Sequence, residues 1–152
     1  MVSPELLRRH SFFGGFTLAE VKELALCGQE RSVSEGQVLF AEGDRADFFY
    51  FLADGEMETL IRAEEEGDIA LSTLPAGEPL GWSALIEPHV FTASARATRA
   101  CRVIAFGRPE LAKLMEDAHF ASIMFAKLAT LVSHRLRDAQ VQLLSLKAQP
   151  VA

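Results

Sequence analysis

"EGQVLFAEGDRADFFYFLADGEMETLIR", residues 35–62, is the stretch that decides the predicted fold. Short runs rich in aromatic and branched residues lie between glycines here, and the same texture continues on both sides, from about residue 30 to residue 106. The runs are "QVLF", "DFFYFL", "EMETLIR", "IALSTL", "FTASARA" and "RVIAF". Many short strands with a turn signal about every 10 residues predict an antiparallel sandwich or barrel.

Helical patterns flank this β region at both ends of the chain. Near the amino terminus, Thr17-x-x-Glu20 forms a capping box in front of an apolar stripe. After the β region, Pro109 can open a short helix, and a much longer helix without Gly or Pro follows. We therefore expect a single domain over residues 1–152, mainly β with flanking helices. Its parts are N-terminal helices at 3–28, a β-roll at 30–106 and C-terminal helices at 108–148.

The long carboxy-terminal helix carries two apolar stripes. Eight positions that step by three and four form a heptad seam: Ser122, Phe125, Ala129, Val132, Leu136, Ala139, Leu143 and Leu146. A second apolar set is confined to the first half of the helix: Phe120, Ile123, Met124, Leu128 and Leu131. The two stripes predict that one face packs on the β region while the seam meets an identical helix in a homodimer. A helix folded back wholly on its own domain is the alternative.

Composition and charge exclude several classes of protein. The net charge of −6, from 15 basic and 21 acidic residues, argues against a general nucleic-acid surface, because phosphate binding needs concentrated Lys and Arg. Cys27 and Cys101 form neither a C-x-x-C pair nor a regular series, which favours a reducing compartment. No stretch approaches the roughly 20 apolar residues of a membrane span. We expect a cytoplasmic protein that contacts neither membrane nor DNA.

Four segments together resemble the cyclic-nucleotide-binding domain family, which includes the effector halves of Crp/Fnr-type bacterial regulators. They are "FFGGFTLAEVKELA" at 12–25, "EGQVLFAEGD" at 35–44, "FFYFLADGEMETL" at 48–60 and "LPAGEPLGWSALI" at 74–86. The resemblance covers nearly the entire chain. It implies an antiparallel double-stranded β-helix, of the jelly-roll or β-roll type, with a ligand pocket inside it.

In that family a short cassette holds the phosphate of the ligand. The cassette runs from a Gly-Glu at the head of a short helix, through small and apolar residues, to an Arg followed by a small hydroxyl residue and Ala. The positions that match this pattern are Gly81, Ala84, Leu85, Thr92 and Ala93. The resemblance implies that the ligand-binding residues are Gly81, Trp82, Ser83, Ala84, Leu85, Phe91, Thr92 and Ala93.

The two charged positions of the cassette depart from the family. Trp82 stands where the ribose-binding glutamate would be, and Phe91 stands where the phosphate-binding arginine would be. Removing one partner of a buried ion pair typically costs about 3–5 kcal/mol. The alternation along residues 91–97 places Arg96 on the polar face of the predicted strand, so we expect this side chain to point to solvent. The pattern predicts a pocket that does not bind cAMP or cGMP in the usual way.

Catalytic and metal chemistry find little support in the residues. "GWSAL", at 81–85, lacks the second glycine of the nucleophile elbow, so we interpret Ser83 as a helix-start hydroxyl and predict no enzyme activity. The acidic "AEEEGD" at 63–68 is interpreted as a solvated hairpin tip, and we predict neither a metal site nor a cofactor. Two cysteines are too few for the usual iron–sulfur cluster, whereas a haem on His89 or Met115 stays open.

The sequence thus predicts a non-enzymatic sensory or regulatory domain with a degenerate cassette. Its ligand would be a cyclic nucleotide or, because of Trp82 and Phe91, an altered and more apolar molecule. The alternative is a structural interaction module whose roll is filled by these two rings. Crp/Fnr-type regulators continue past the long helix into a helix-turn-helix, whereas this sequence ends at Ala152, so we expect no direct DNA binding.

Overall fold

Eight β-strands are flanked by helices in residues 1–148, the part of the chain that the computed structural model describes. The helices are α1 (Pro4–Arg8), α2 (Leu18–Cys27), α3 (Arg108–Leu114) and α4 (Ala118–Ala148), with 3-10 helices at Ser11–Phe13 and Trp82–Ala84. The strands are β1 (Gly28–Val33), β2 (Val38–Phe40), β3 (Phe48–Asp54), β4 (Glu56–Ala63), β5 (Gly67–Pro75), β6 (Pro79–Leu80), β7 (Ser94–Ala97) and β8 (Cys101–Gly107). The last four residues of the predicted domain, 149–152, lie outside the described part.

The strands form two four-stranded antiparallel sheets, with the orders β1-β8-β3-β6 and β2-β7-β4-β5. The two sheets share one apolar core, to which β3 contributes Phe49 and Phe51 and β4 contributes Met57. The helices add to the same core through side chains such as Leu24 and Phe120. This architecture confirms the predicted fold class, mainly β with flanking helices in a β-roll.

Each of the six predicted runs contains a strand, five over most of their length and one over its second half. "FTASARA" becomes a strand only from Ser94, because the preceding residues 91–93 belong to the loop that closes the cavity. Strands β1 and β6 were not among the runs. Strand β1 lies at an edge of the first sheet and carries exposed polar residues, so its apolar pattern is weak. Strand β6 is the other edge strand and has only two residues, both buried, which is too short to show an alternation. The β region also begins at Gly28, directly at the end of α2, rather than near residue 30.

The N-terminal helices form as their caps predict. The Thr17 hydroxyl accepts a hydrogen bond from the Glu20 backbone N–H at 3.1 Å, and the Glu20 carboxylate accepts one from the Thr17 N–H at 2.7 Å. The two rings of Phe13 and Phe16 are buried in the core. Phe16 packs on Phe120 of α4, with ring centroids 5.0 Å apart. The amino-terminal helices and the start of α4 therefore share one packed corner.

The two apolar stripes of α4 lie in different environments. Phe120, Met124, Leu128 and Leu131 are buried against the rest of the domain, as the second apolar set predicts. The seam is solvent-exposed along most of its length, with Leu136 at 59% exposure. The helix thus packs with one face and leaves the heptad face uncovered. None of the helices in residues 1–148 is both long enough and apolar enough to cross a membrane.

Candidate ligand-binding site between the roll and the long helix

The site is built on the turn at Gly81, which joins β6 to the 3-10 helix Trp82–Ala84. Gly81 has a φ of 81°, in the left-handed region that glycine adopts without strain. A Cβ atom at this position would lie 3.3 Å from the rings of Phe91 and Tyr50. Burial raises the pKa of the Tyr50 phenol, so this side chain stays neutral near pH 7. The backbone of Gly81 therefore packs closely against the rings of Phe91 and Tyr50.

Phe91 is held in place through both its ring and its backbone. Its ring stacks on Phe40 of β2, with centroids 3.9 Å apart and an angle of 15° between the planes. Its backbone N–H donates to the Asp44 carbonyl at 2.9 Å, and its own carbonyl accepts from the Gly43 N–H at 2.9 Å. The side chain is buried, with 5% exposure. The aromatic ring of Phe91, for which the resemblance implies an arginine, is thus fixed in the wall beside the Gly81 turn.

A cavity of about 280 Å³ lies between the roll and α4. Six of the eight predicted ligand-binding residues line it, namely Gly81, Trp82, Ser83, Phe91, Thr92 and Ala93. Ala84 is buried in the core and Leu85 packs against that core, so neither reaches the cavity. The remaining wall is formed by Phe40, Thr59, Leu71, Ser72, Leu80, Val132, Arg135 and Leu136. Apart from Arg135, the walls are apolar and aromatic, with a few hydroxyl groups among them.

Arg96 lies outside this cavity. It pairs with Glu58 across the contact between β7 and β4, with Nε 3.0 Å and Nη2 2.5 Å from Glu58 Oε1. Its side chain is 38% exposed. The carboxylate of Glu58 already holds this guanidinium on the outer face of the sheet, as the polar alternation of the strand predicts. Arg96 therefore supplies no positive charge to the cavity.

Arg135 of α4 does line the cavity, and it was not among the predicted site residues. Its side chain is only 11% exposed, and its Nη2 donates to Glu78 Oε2 at 3.0 Å. Nη1 lies 4.0 Å from Asp138 Oδ2, and the same oxygen accepts a hydrogen bond from the Ser72 hydroxyl at 2.7 Å. These contacts tie α4 to β5 and to the turn in front of β6.

A signal for Arg135 is present in the sequence. The buried stripe of α4 continues at helical spacing from Leu128 and Leu131, and the next position on that face is residue 135. An arginine therefore stands where the stripe predicts an apolar residue. A charged side chain on the packed face of a helix indicates either an ion pair or a binding site.

The remaining candidates for catalysis and cofactor binding lie apart from the cavity. The Nδ1–H of His89 donates to the Ser83 carbonyl oxygen at 3.1 Å, so the ring contacts the backbone rather than the Ser83 hydroxyl. Met115 packs against the core. Among residues 1–148, no three His, Cys, Asp or Glu side chains come together in a group that could hold a metal ion.

Comparison with known proteins places this architecture in a family. Residues 30–118 match the family described as "Cyclic nucleotide-binding domain". The chain belongs to the cyclic nucleotide-binding domain family. The resemblance carried by the four quoted sequence segments is thereby confirmed.

Similar proteins come from several bacteria. The solved structure of a Geobacter metallireducens protein, described provisionally as cyclic nucleotide-binding, is 31% identical with a TM-score of 0.80, over 90% of this chain and 99% of that one. The catabolite activator protein of Thermus thermophilus is 26% identical with a TM-score of 0.71, over 95% of this chain and 63% of that one. A Rhodopseudomonas palustris protein, described provisionally as a potassium channel, is 25% identical over 116 residues. The aligned part is 76% of this chain but 27% of that curated relative.

Proposed function

We propose that this cyclic nucleotide-binding domain is a non-enzymatic sensory or regulatory module whose cavity takes a small molecule more apolar than cAMP or cGMP. The observation that carries the proposal is the ring of Phe91, stacked on Phe40 at 3.9 Å where the resemblance implies an arginine. Trp82 lines the same cavity where the resemblance implies a glutamate. Both changes replace a charge by an aromatic ring.

The backbone of the Gly81 turn offers little compensation for the missing charge. The Ala84 N–H already donates to the Gly81 carbonyl at 3.2 Å, which leaves the amides of Trp82 and Ser83. A helix terminus typically stabilises an anion by about 0.3–1 kcal/mol when exposed. Loss of one partner from a buried ion pair costs about 3–5 kcal/mol. A cyclic phosphate placed at this turn would therefore bind poorly.

A structural module with a filled roll is the second candidate. In that case the rings of Trp82 and Phe91 would close the space between the roll and α4. A cavity of about 280 Å³ stands open beside both rings, and that volume is close to the lower end of small-molecule pockets. The open volume favours a bound ligand over a filled roll.

The proposed module pairs with a second copy through the uncovered seam of α4. Phe125, Leu136 and Leu143 are between 49% and 59% exposed on this face, and such a heptad pattern is typical of helices that associate. Cys27 and Cys101 are both unpaired, as we expect of a cytoplasmic protein. The proposal includes no direct contact of this chain with DNA or membrane.

A ligand screen by thermal shift, followed by calorimetric titration, tests the proposed function. We expect neither cAMP nor cGMP to bind at micromolar concentration, because no guanidinium on the roll faces their phosphate. A small aromatic compound at about 100 times its dissociation constant should add about 2.7 kcal/mol and raise the melting temperature by several degrees. Micromolar binding of cAMP would contradict the proposal, and a screen without any hit would favour the filled, structural module.

A further inference from the structure

The cavity wall contains one cation in an otherwise uncharged surface. Among the described residues that line the cavity, Arg135 is the single ionisable side chain, since the others are apolar, aromatic, glycine or hydroxyl residues. Its guanidinium is mostly buried, with 11% of the side chain exposed. An arginine stays charged in proteins. Any ligand in this cavity therefore meets a fixed positive charge on the α4 side.

The two carboxylates nearest to the Arg135 guanidinium lie outside the lining of the cavity. Glu78 is 38% exposed and Asp138 is 41% exposed, and neither lines the cavity. Within residues 1–148, hydrogen bonds occupy Nη2 alone, which donates to Glu78 at 3.0 Å. The 4.0 Å separation from Asp138 is too long for a hydrogen bond. A guanidinium has five N–H donors in a planar fork, so most of them are available to a further acceptor.

From this arrangement we infer that the cavity binds a monocarboxylate with an aromatic body, its ring against Phe91 and Trp82 and its carboxylate on Arg135 in place of Glu78. The inference rests on the proposed function and adds the chemical class of the ligand. It assigns the counter-charge to α4 rather than to the cassette residues of the roll.

Three features select a carboxylate on an aromatic body. Arg135 already holds the carboxylate of Glu78 through a single hydrogen bond from Nη2, and its planar fork can hold the carboxylate of a ligand through two parallel hydrogen bonds. Glu78 is partly exposed, so it returns to water at little cost when it is displaced. The volume of about 280 Å³ suits one ring with a short side chain. The stacked rings of Phe40 and Phe91 supply the wall for that ring.

Titration with a matched pair of probes tests the inference on the full chain. 3-Phenylpropionate and its neutral amide, 3-phenylpropanamide, have the same shape and differ in charge. The acid should bind roughly ten-fold or more tightly than the amide, because a charge-assisted hydrogen bond is lost in the amide. Arg135→Gln should abolish this preference while leaving amide binding intact. Arg137→Gln, which changes an exposed arginine of the same helix, should leave the preference unchanged.

Glu78→Gln separates a ligand-binding role of Arg135 from a purely structural one. Removing the competing carboxylate should strengthen binding of the acid several-fold and leave the amide unaffected, a change that a structural ion pair would not produce. If Arg135→Gln fails to fold, Glu78→Gln still tests whether Arg135 binds the carboxylate of the ligand.

The outcomes distinguish the two proposals. Equal binding of acid and amide, or an acid preference that survives in Arg135→Gln, overturns the carboxylate assignment and leaves the proposed apolar ligand standing. Absence of binding by both probes also overturns the assignment. The proposed function falls as well if the wider screen has no hit.

Discussion

Phe91 and Gly81 depend on each other. The ring of Phe91 lies so close to the turn that a Cβ on residue 81 would meet it at 3.3 Å, whereas the backbone of Gly81 adopts a φ of 81°. A glycine is thus required here both for its conformation and for the space that its missing side chain leaves. This contact holds the ring of Phe91 beside the Gly81 turn, in the wall of the cavity.

Gly81→Ala and Gly67→Ala form a matched pair that isolates the contact. Both glycines have a φ near 80°, but a Cβ at Gly67, in the β4–β5 hairpin, meets nothing within 4 Å. Each change should lower the free energy of unfolding by about 1–2 kcal/mol through the left-handed backbone. Only Gly81→Ala should also weaken ligand binding, because the new Cβ crowds the ring of Phe91, which lines the cavity. Titration of both variants with the best ligand of the screen measures this, and equal affinities would contradict the described contact.

The sequence indicated cavity residues that lie close together in the chain, but it did not indicate the residue that a distant helix contributes. The resemblance of one short stretch to the family implies the cassette residues Trp82 and Phe91, and both line the cavity. Arg135 reaches the same cavity from more than 40 positions away, because α4 lies across the opening. Its contact with the site depends on how a helix packs on a sheet, which apolar spacing does not specify. The loss of the cassette's charged groups and the binding of a ligand by these residues both stay predictions.

At the scale of elements, the two apolar faces of α4 differ in solvent exposure. The face with Phe120 and Met124 is buried, whereas the heptad face is open to solvent. The strands also differ, according to how strong their apolar sequence pattern is. Central strands such as β3 and β8 are apolar and were predicted, while β1 carries exposed Gln29 and Glu30 at a sheet edge and was missed.

Leu136→Asp combined with Leu143→Asp should break the predicted dimer. Both leucines are more than half exposed, and two carboxylates facing their copies across a helix pair would repel each other. The control is Ser133→Asp with Gln140→Asp, which adds the same charges at the same spacing beside the seam. Light scattering at tens of micromolar should report a monomer for the first variant and a dimer for the control and the parent. A monomeric parent would show that the seam is misassigned.

At the scale of the whole molecule, the two helical ends of the chain are joined. Glu20 of α2 and His119 of α4 lie 2.9 Å apart between Oε2 and Nδ1. Lys127 of α4 also sits over the ring of Phe12, 5.3 Å from its centroid. These contacts place the start of α4 against the amino-terminal helices, on the side of the domain where the helix is packed.

The contact between Glu20 and His119 makes stability depend on pH. The hydrogen bond and the charge of Glu20 raise the pKa of His119 above 6.5, so its contribution is complete below that value and is lost as the pH rises through the raised pKa. Burial acts to raise the pKa of Glu20, but the bonds from His119 and Thr17 outweigh it and lower the pKa below 4.5. That contribution is present above 4.5 and is lost as the pH falls through the lowered pKa.

His119→Gln should therefore destabilise the protein most between about pH 4.5 and 6.5, where both groups are charged in the pair. Urea unfolding across this range and at about pH 8 measures the effect, which should shrink at the higher pH. His134→Gln, an exposed histidine on the same helix, serves as the control and should show no such maximum. A constant difference across the range would mean that the pair does not act through charge.

Val132 and Leu136 belong at once to the wall of the cavity and to the heptad face of α4. A molecule seated in the cavity touches the inner sides of the residues whose outer sides would meet a second protomer. Occupancy and self-association would then be linked equilibria, and thermodynamic reciprocity requires each to change the other by the same factor. A dissociation constant measured in dilute protein would differ from one measured in concentrated protein, which makes total protein concentration a variable to control in every titration of this domain.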